Sequence, residues 1–200
     1  HGLGAASVMG VDISPGMVAL AQQTEEAGGP DSGGMIEYRV ADVRTAGRMG
    51  EFDLITSFFM LNHALDRDDL LAMCRGIAAN LKPGGRFFAF NNNLDMPPAA
   101  YPLIEKYGRR QQAAEPLVEG APITITTRRG DEDCTVVDCY LSRATYAWAL
   151  AAARRASSSP VRAWRASATT CPNSSRSISR ALPTWSRSPE ATRSKRPARS

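Results

Sequence analysis

Residues 7–21 read SVMGVDISPGMVALA, and this stretch decides the fold. Its apolar start predicts a buried β-strand that ends at Asp12. Ser14 followed by Pro15 predicts a helix start, because Ser is a favoured N-cap and Pro is favoured at the first helical position. A carboxylate at such a strand end lies in the crevice where open α/β sheets bind nucleotides, and it can accept both hydroxyls of a ribose. The stretch therefore predicts a nucleotide cofactor.

The alternation of strand and helix continues along the chain. Three further stretches each predict a strand followed by polar residues: EYRVADV (37–43), EFDLITSFFMLNHA (51–64) and LKPGGRFFAFNNN (81–93). In the last of them, the strand follows a turn over residues 81–86. Apolar residues at helical spacing predict helices from Pro15 to about Thr24 and over 66–81. Strands that alternate with helices predict an α/β, Rossmann-like fold, with a mostly parallel sheet and helices on both of its faces.

These motifs resemble the class I S-adenosylmethionine-dependent methyltransferases over about residues 2–153. The resemblance implies S-adenosylmethionine as the cofactor and methyl transfer as the activity. It also assigns five residues to cofactor binding: Asp12 to the ribose, Asp42 to the adenine amino group, Ile13 and Val43 to the two faces of the adenine ring, and Phe58 to a position beside the cofactor, with a core position as the alternative for Phe58.

The segments NNNL, YPLIEKYG and LSRATYAWAL are most similar to the branch that contains toxoflavin synthase, which methylates ring nitrogens of an azapteridine. That similarity implies a small, nitrogen-heterocyclic methyl acceptor as the partner. The candidate acceptor-binding residues follow the predicted fourth and fifth strands: Asn62 and His63, then Asn91 and Asn92 with Asn93.

Strand ends face the crevice, Asn can both donate and accept hydrogen bonds, and neutral His63 can take a proton. For each of these residues taken alone, helix capping or loop solvation is a slightly better explanation than a catalytic role. Tyr101, Tyr107 and Tyr140 are candidates for stacking on a flat acceptor, with ordinary packing as the alternative. The sequence identifies no catalytic residue and no metal ligand.

Two parts of the family pattern are missing from this sequence. The family's first strand and glycine-rich loop have no counterpart, because Gly2 and Gly4 follow no strand and predict only a turn. We therefore expect an incomplete domain over residues 1–153, truncated at its amino end, poorly soluble and inactive on its own, since a sheet without its central strand exposes unpaired backbone groups.

The carboxyl-terminal residues differ in composition from the rest of the chain. Eleven of the 24 Lys and Arg residues, but only one of the 20 acidic residues, lie in residues 154–200, so the net charge of +4 hides an acidic domain and a basic tail. Ser, Arg, Ala and Pro dominate this tail, and such a composition predicts disorder. The tail is either genuine or the product of a frameshift.

Other features limit the classes of function. The sequence shows neither a signal peptide nor a membrane span, which predicts a cytoplasmic protein without a membrane partner. The four cysteines form no C-x-x-C pair and predict buried free thiols.

An oxidoreductase on the same architecture is one alternative to a methyltransferase. Nucleic-acid binding through Arg-Ser pairs of the tail is another, and we disfavour both. The oligomeric state is not indicated.

Overall fold

A computed structural model describes residues 5–28, 36–130 and 132–156. Twelve elements succeed one another in these residues, two of them 3₁₀ helices: β1 (Val8–Asp12), α1 (Pro15–Ala27), β2 (Ile36–Val40), β3 (Phe52–Phe58), a 3₁₀ turn (Met60–His63), α2 (Arg67–Ala79), β4 (Leu81–Phe90), a 3₁₀ helix (Pro98–Tyr107), β5 (Arg109–Ala113), β6 (Pro122–Arg129), β7 (Glu132–Cys139) and α3 (Arg143–Ala156). The predicted α/β class is confirmed.

The parallel strands form two separate pairs. β1 pairs with β2 and β3 pairs with β4, while β5, β6 and β7 form an antiparallel sheet. No ladder joins the two parallel pairs within the described ranges. In each pair the strand ends are level, with Asp12 opposite Val40 and Phe58 opposite Phe90.

The two helices of the parallel region, α1 and α2, each start at a residue whose side chain caps the helix. The Ser14 hydroxyl accepts a hydrogen bond from the Met17 amide at 3.3 Å, and the Asp66 carboxylate accepts one from the Asp69 amide at 2.8 Å. Both contacts satisfy amides that have no partner inside a helix. α1 continues to Ala27, three residues beyond the predicted end.

α2 ends at Ala79, earlier than predicted. The Asn80 side chain accepts hydrogen bonds from the Met49 and Gly50 amides and donates to the carbonyls of Gly47 and Gly76. These four contacts hold Asn80 as the helix cap. The next residue, Leu81, already pairs with Phe52. The segment predicted as a turn, residues 81–86, is therefore an irregular start of β4.

The core lies between α2, α3 and the pair formed by β3 and β4. Leu70, Cys74 and Ala149 have no exposed surface, and Leu61 is 1% exposed. By contrast, Val18 is the only buried residue that the structure describes in α1. The core therefore belongs to the second half of the parallel region.

β6 and β7 form a carboxyl-terminal hairpin, and β5 pairs with β6 as a third strand that the sequence did not indicate. The Ser142 hydroxyl accepts from the Thr145 amide at 3.3 Å, as a cap does. α3 continues to Ala156, three residues past the predicted domain boundary, and the predicted disorder of residues 157–200 lies outside the described residues.

The predictions for the cysteines and for membrane spans can also be compared with the structure. Cys74 is buried, but Cys134 is exposed and Cys139 is partly buried, so the prediction of buried thiols is wrong for Cys134, which lies on an exposed part of β7. Cys171 lies outside the described residues. None of the described helices has the length and apolar character that a membrane crossing requires.

Candidate active site

The candidate site residues follow the carboxyl ends of the four parallel strands. At the end of the first pair, the Ala41 amide donates to the Asp12 carbonyl at 3.0 Å, which brings the start of the Asp42 loop beside Asp12. At the end of the second pair, the Phe59 amide donates to the Phe90 carbonyl at 2.7 Å. The predicted residues therefore form two groups, one for each strand pair.

Asp12 is exposed and supports its own turn. One carboxylate oxygen accepts a hydrogen bond from the Ser14 amide at 2.8 Å, and the other makes no hydrogen bond to a residue that the structure describes. Ile13 beside it is 60% exposed, as a residue that contacts a ligand ring would be in the free protein. Asp12 thus keeps acceptor capacity while it stabilises the strand-to-helix turn.

Asp42 is not a free acceptor. The Arg44 guanidinium donates to both of its oxygens at 2.7 to 2.9 Å, and the Arg44 amide donates to Oδ1 at 2.9 Å. These hydrogen bonds hold the pKa of Asp42 below its usual range. Arg44 also donates to Asp69 of α2 at 2.9 Å. An adenine amino group would therefore compete with Arg44 for the carboxylate, which the sequence did not predict.

Val43 is fixed by a close approach of α2. Gly76 packs against Val43 so tightly that a Cβ at position 76 would overlap the Val43 carbonyl oxygen. The Val43 side chain packs against the core. The loop that carries Asp42 and Val43 is thus positioned by α2, through Gly76 on one side and Asp69 on the other.

Phe58 lies on the surface. It is 62% exposed and stacks on Phe90, with ring centroids 5.3 Å apart and planes 13° from parallel. Phe88 meets Phe90 edge to face at 4.9 Å. The alternative position of Phe58 in the core is therefore wrong, because the described residues leave more than half of its side chain exposed. An exposed aromatic strip can pack against an apolar ring.

A strained turn carries Asn62, which is 6% exposed, and the more exposed His63. Phe59 has a φ of 59°, a left-handed conformation that is costly for a bulky residue. The buried Tyr146 hydroxyl donates to the Leu61 carbonyl at 3.0 Å and anchors the turn to α3. Surrounding structure therefore holds the turn in place.

The two predicted acceptor-binding clusters are in contact. The Asn92 amide donates to the Asn62 side-chain oxygen at 3.3 Å, and Arg109 of β5 donates to the Asn92 side-chain oxygen at 2.7 Å. The Asn91 side-chain oxygen and the Arg109 Nε are buried without a partner among the described residues. Arg109 was missed because RRQQA of β5 has no apolar alternation that would predict a strand.

His63 forms a pair with Asp138 of β7. The His63 Nδ1 lies 2.9 Å from the Asp138 Oδ1, with the aspartate side chain 6% exposed and the histidine side chain 58% exposed. The hydrogen bond to Asp138 raises the pKa of His63, against the opposite effect of burial. Asp138 was missed because 75 residues separate it from His63, and no local pattern indicates such a pair.

A small cleft lies beside this pair. Thirteen residues line it: Asn62, Asn92, Asn93, Leu94, Met96, Tyr101, Gln111, Leu117, Ile123, Asp138, Cys139, Tyr140 and Tyr146. Of the three tyrosines considered for stacking, Tyr101 and Tyr140 line the cleft, whereas Tyr107 is 75% exposed and does not. The cleft combines amide, carboxylate and aromatic groups.

Comparison with known proteins finds similarity to methyltransferases over part of the chain. Residues 1–85 match the family model described as a methyltransferase domain. The ubiquinone biosynthesis O-methyltransferase of Xanthomonas axonopodis pv. citri (strain 306) is 34% identical over 100 residues, which are 49% of this chain and 38% of the relative. The same enzyme of Xanthomonas campestris pv. campestris (strain B100) is 35% identical over equal shares. The matched segment therefore spans well under half the length of these relatives.

Solved structures show the same fold. An S-adenosylmethionine-dependent methyltransferase from Clostridium acetobutylicum ATCC 824 aligns with a TM-score of 0.52 and 19% identity, over 74% of this chain and 63% of that one. An amino pentose methyltransferase from Micromonospora echinaspora aligns with a TM-score of 0.51 and 20% identity, over 76% and 67%. Residues 1–85 therefore match a methyltransferase domain, and the chain shares the α/β fold of these solved structures.

Proposed function

We propose that the full-length protein that contains this sequence transfers a methyl group from S-adenosylmethionine to a small molecule. The observation that carries the proposal is Asp12, an exposed carboxylate with spare acceptor capacity at the carboxyl end of β1, inside the segment that matches the methyltransferase family. Methyl transfer from a sulfonium is an in-line displacement, so holding the two reactants at near-attack distance supplies much of the catalysis.

The cofactor would lie along the ends of β1 and β2. Asp12 binds the ribose hydroxyls, Ile13 and Val43 contact the adenine faces, and Phe58 lies beside the cofactor. Asp42 takes the adenine amino group only by sharing its carboxylate with Arg44, so we assign it a smaller share of the binding energy.

The acceptor would lie at the ends of β3 and β4, against Asn62, His63, Asn91 and Asn92. We propose a nitrogen heterocycle, because these side chains offer both donors and acceptors to the edge of a ring. Tyr101 and Tyr140 line the neighbouring cleft and add flat surfaces. A hydroxyl acceptor is the second candidate, favoured by the O-methyltransferase names of the curated relatives.

Calorimetry with S-adenosylhomocysteine tests the cofactor assignment. Asp12→Asn should weaken binding by about 1.5 to 3 kcal/mol, the range for hydrogen bonds to a charged group. Asp53→Asn is the matched control, because Asp53 is 85% exposed near the opposite end of β3, where it pairs with Lys82. Equal affinities for the two variants would remove Asp12 from the site, and binding of a nicotinamide dinucleotide instead would favour an oxidoreductase.

Transfer of a labelled methyl group tests the acceptor class. Matched pairs of flat bicyclic compounds, one with a ring N–H and one with a phenolic hydroxyl, compete for limiting labelled S-adenosylmethionine. We expect the label predominantly on the ring nitrogen. Label predominantly on the hydroxyl compounds would establish the second candidate and reject the first.

A further inference from the structure

The turn that carries His63 is held from several sides. Phe59 starts it in a left-handed conformation, Leu61 is 1% exposed, and the Tyr146 hydroxyl binds the Leu61 carbonyl. A solvated loop residue would need none of these restraints. The position of the His63 backbone is therefore set by the core.

Asp138 fixes the state of the imidazole. An ionised carboxylate only accepts hydrogen bonds, so the 2.9 Å contact requires the proton of neutral His63 to lie on Nδ1. The Nε2 then carries a lone pair. Because the histidine side chain is 58% exposed while the aspartate side chain is 6% exposed, Nε2 remains available to a ligand.

The charged groups that act on His63 are acidic. Asp138 and Asp12 both favour its protonated form, and burial opposes them. Tyr146 and Cys139 lie near Asp138, and both have a raised pKa, caused first by burial, so they are neutral near pH 7.

We propose that His63 is the general base of the methyl transfer and that Asp138 is the positioning residue that holds its Nδ1–H. This inference rests on the proposed function. It defines the acceptor further: the atom that is methylated carries a hydrogen, on a ring nitrogen or a hydroxyl, which must leave as a proton.

The methyl transfer and the proton transfer occur together. The acceptor atom forms a bond to the methyl carbon while its proton moves to the His63 Nε2. The bond between methyl carbon and sulfur breaks, and its electron pair stays on sulfur, which changes from a sulfonium to a neutral thioether. The imidazolium that forms beside Asp138 then loses the proton to water.

Kinetics and NMR test the proposal on the full-length protein. His63→Gln should lower kcat on the order of 10²- to 10⁴-fold, the usual contribution of a general base, and should change the affinity for S-adenosylhomocysteine less than twofold. In the wild type, kcat should rise with pH above 6.5 and then reach a plateau. In Asp138→Asn, the rise in kcat should occur at lower pH, and the plateau value of kcat should be lower.

The imidazole signals provide a readout that does not depend on turnover. The His63 resonance is assigned by its absence from the spectrum of His63→Gln. The His63 pKa should fall in Asp138→Asn and stay unchanged in Asp133→Asn, a control in the same strand whose carboxylate pairs with Arg110. An unchanged His63 pKa in Asp138→Asn would reject the positioning role.

The results for the wild type and for His63→Gln distinguish a failure of the general-base proposal from a failure of the proposed function. A wild type that neither binds S-adenosylhomocysteine nor transfers a methyl group would reject the function itself. A wild type that transfers the methyl group with no rising limb, or a His63→Gln variant with an unchanged kcat and pH profile, would reject only the base. A loss of kcat in His63→Gln that has the same size at every pH, and the same size for strongly acidic acceptors, would also reject the general base. Such a loss would indicate a structural role for His63.

Discussion

The two parallel strand pairs differ in how their apolar residues are covered. In the unit formed by β1, α1 and β2, α1 buries only Val18 among its described residues, whereas α2, between β3 and β4, buries six. Large apolar side chains remain exposed throughout the first unit: Val11, Ile13, Met17, Leu20 and Val40. Both helices have a side-chain cap and apolar residues at helical spacing.

The difference shows that local sequence starts a helix but a second layer is needed to bury it. α2 packs on α3 and on β4, whereas the packing described for α1 is on β1 and β2. Since burial supplies most of the free energy of folding, the second unit should account for most of the stability. The first unit carries the proposed cofactor residues and should be the more easily opened part.

The largest contrast is expected between two leucines. Leu70 in α2 has no exposed surface, and Leu20 in α1 is 46% exposed. Leu70→Ala should lower the free energy of unfolding by about 2 to 5 kcal/mol, because it removes buried contacts and leaves a cavity. Leu20→Ala should cost less than about 1 kcal/mol. Urea unfolding of both variants measures this, and equal losses would show that α1 is as well covered as α2.

A pair of glycines gives the next largest effect. Gly76→Ala places a methyl group against the Val43 carbonyl and should cost at least about 1 to 3 kcal/mol, as overpacking does. At Gly16 in α1 the nearest atom to an added Cβ is the Ser14 hydroxyl oxygen at 3.8 Å. Gly16→Ala should therefore be neutral or stabilising, by up to about 1 kcal/mol. Thermal melts of both variants measure this difference. Equal Tm values for the two variants would contradict the close approach of α2 to Val43.

The smallest effect concerns the pH dependence of the His63 and Asp138 pair. The pKa of His63 is raised in the folded protein, mainly by the hydrogen bond to Asp138. Its stabilising contribution is therefore fully present below the unfolded value of 6.5 and is lost as pH rises through the folded value. The difference in Tm between wild type and His63→Gln should shrink between pH 6 and pH 9. A difference that grows over this range would mean that Asp138 does not stabilise the charged imidazole.

The features that sequence predicted depend on neighbouring residues. The strand predicted in EYRVADV (37–43) forms as Ile36–Val40, and the Ser14 cap is in its predicted place, because apolar alternation and capping chemistry act within a few residues. The strand ends also brought Asn62 and Asn92 together, since level parallel strands share one edge.

The features that sequence missed depend on distant residues or on competing partners. Asp138 reaches His63 across 75 residues, and Arg109 reaches Asn92 from a strand without an apolar pattern. The Arg44 contact with Asp42 spans only two residues and could have been found, because an arginine two positions from a proposed acceptor carboxylate is an obvious competitor.

A crystal structure of the full-length protein with S-adenosylhomocysteine tests the central claim most directly. We predict both ribose hydroxyls within about 2.5 to 3.0 Å of the Asp12 carboxylate, the range for hydroxyl donors, with the adenine between Ile13 and Val43. The thioether sulfur should lie on the side of His63. A cofactor that is bound away from the ends of β1 and β2, with Asp12 still bonded only to the Ser14 amide, would contradict the account.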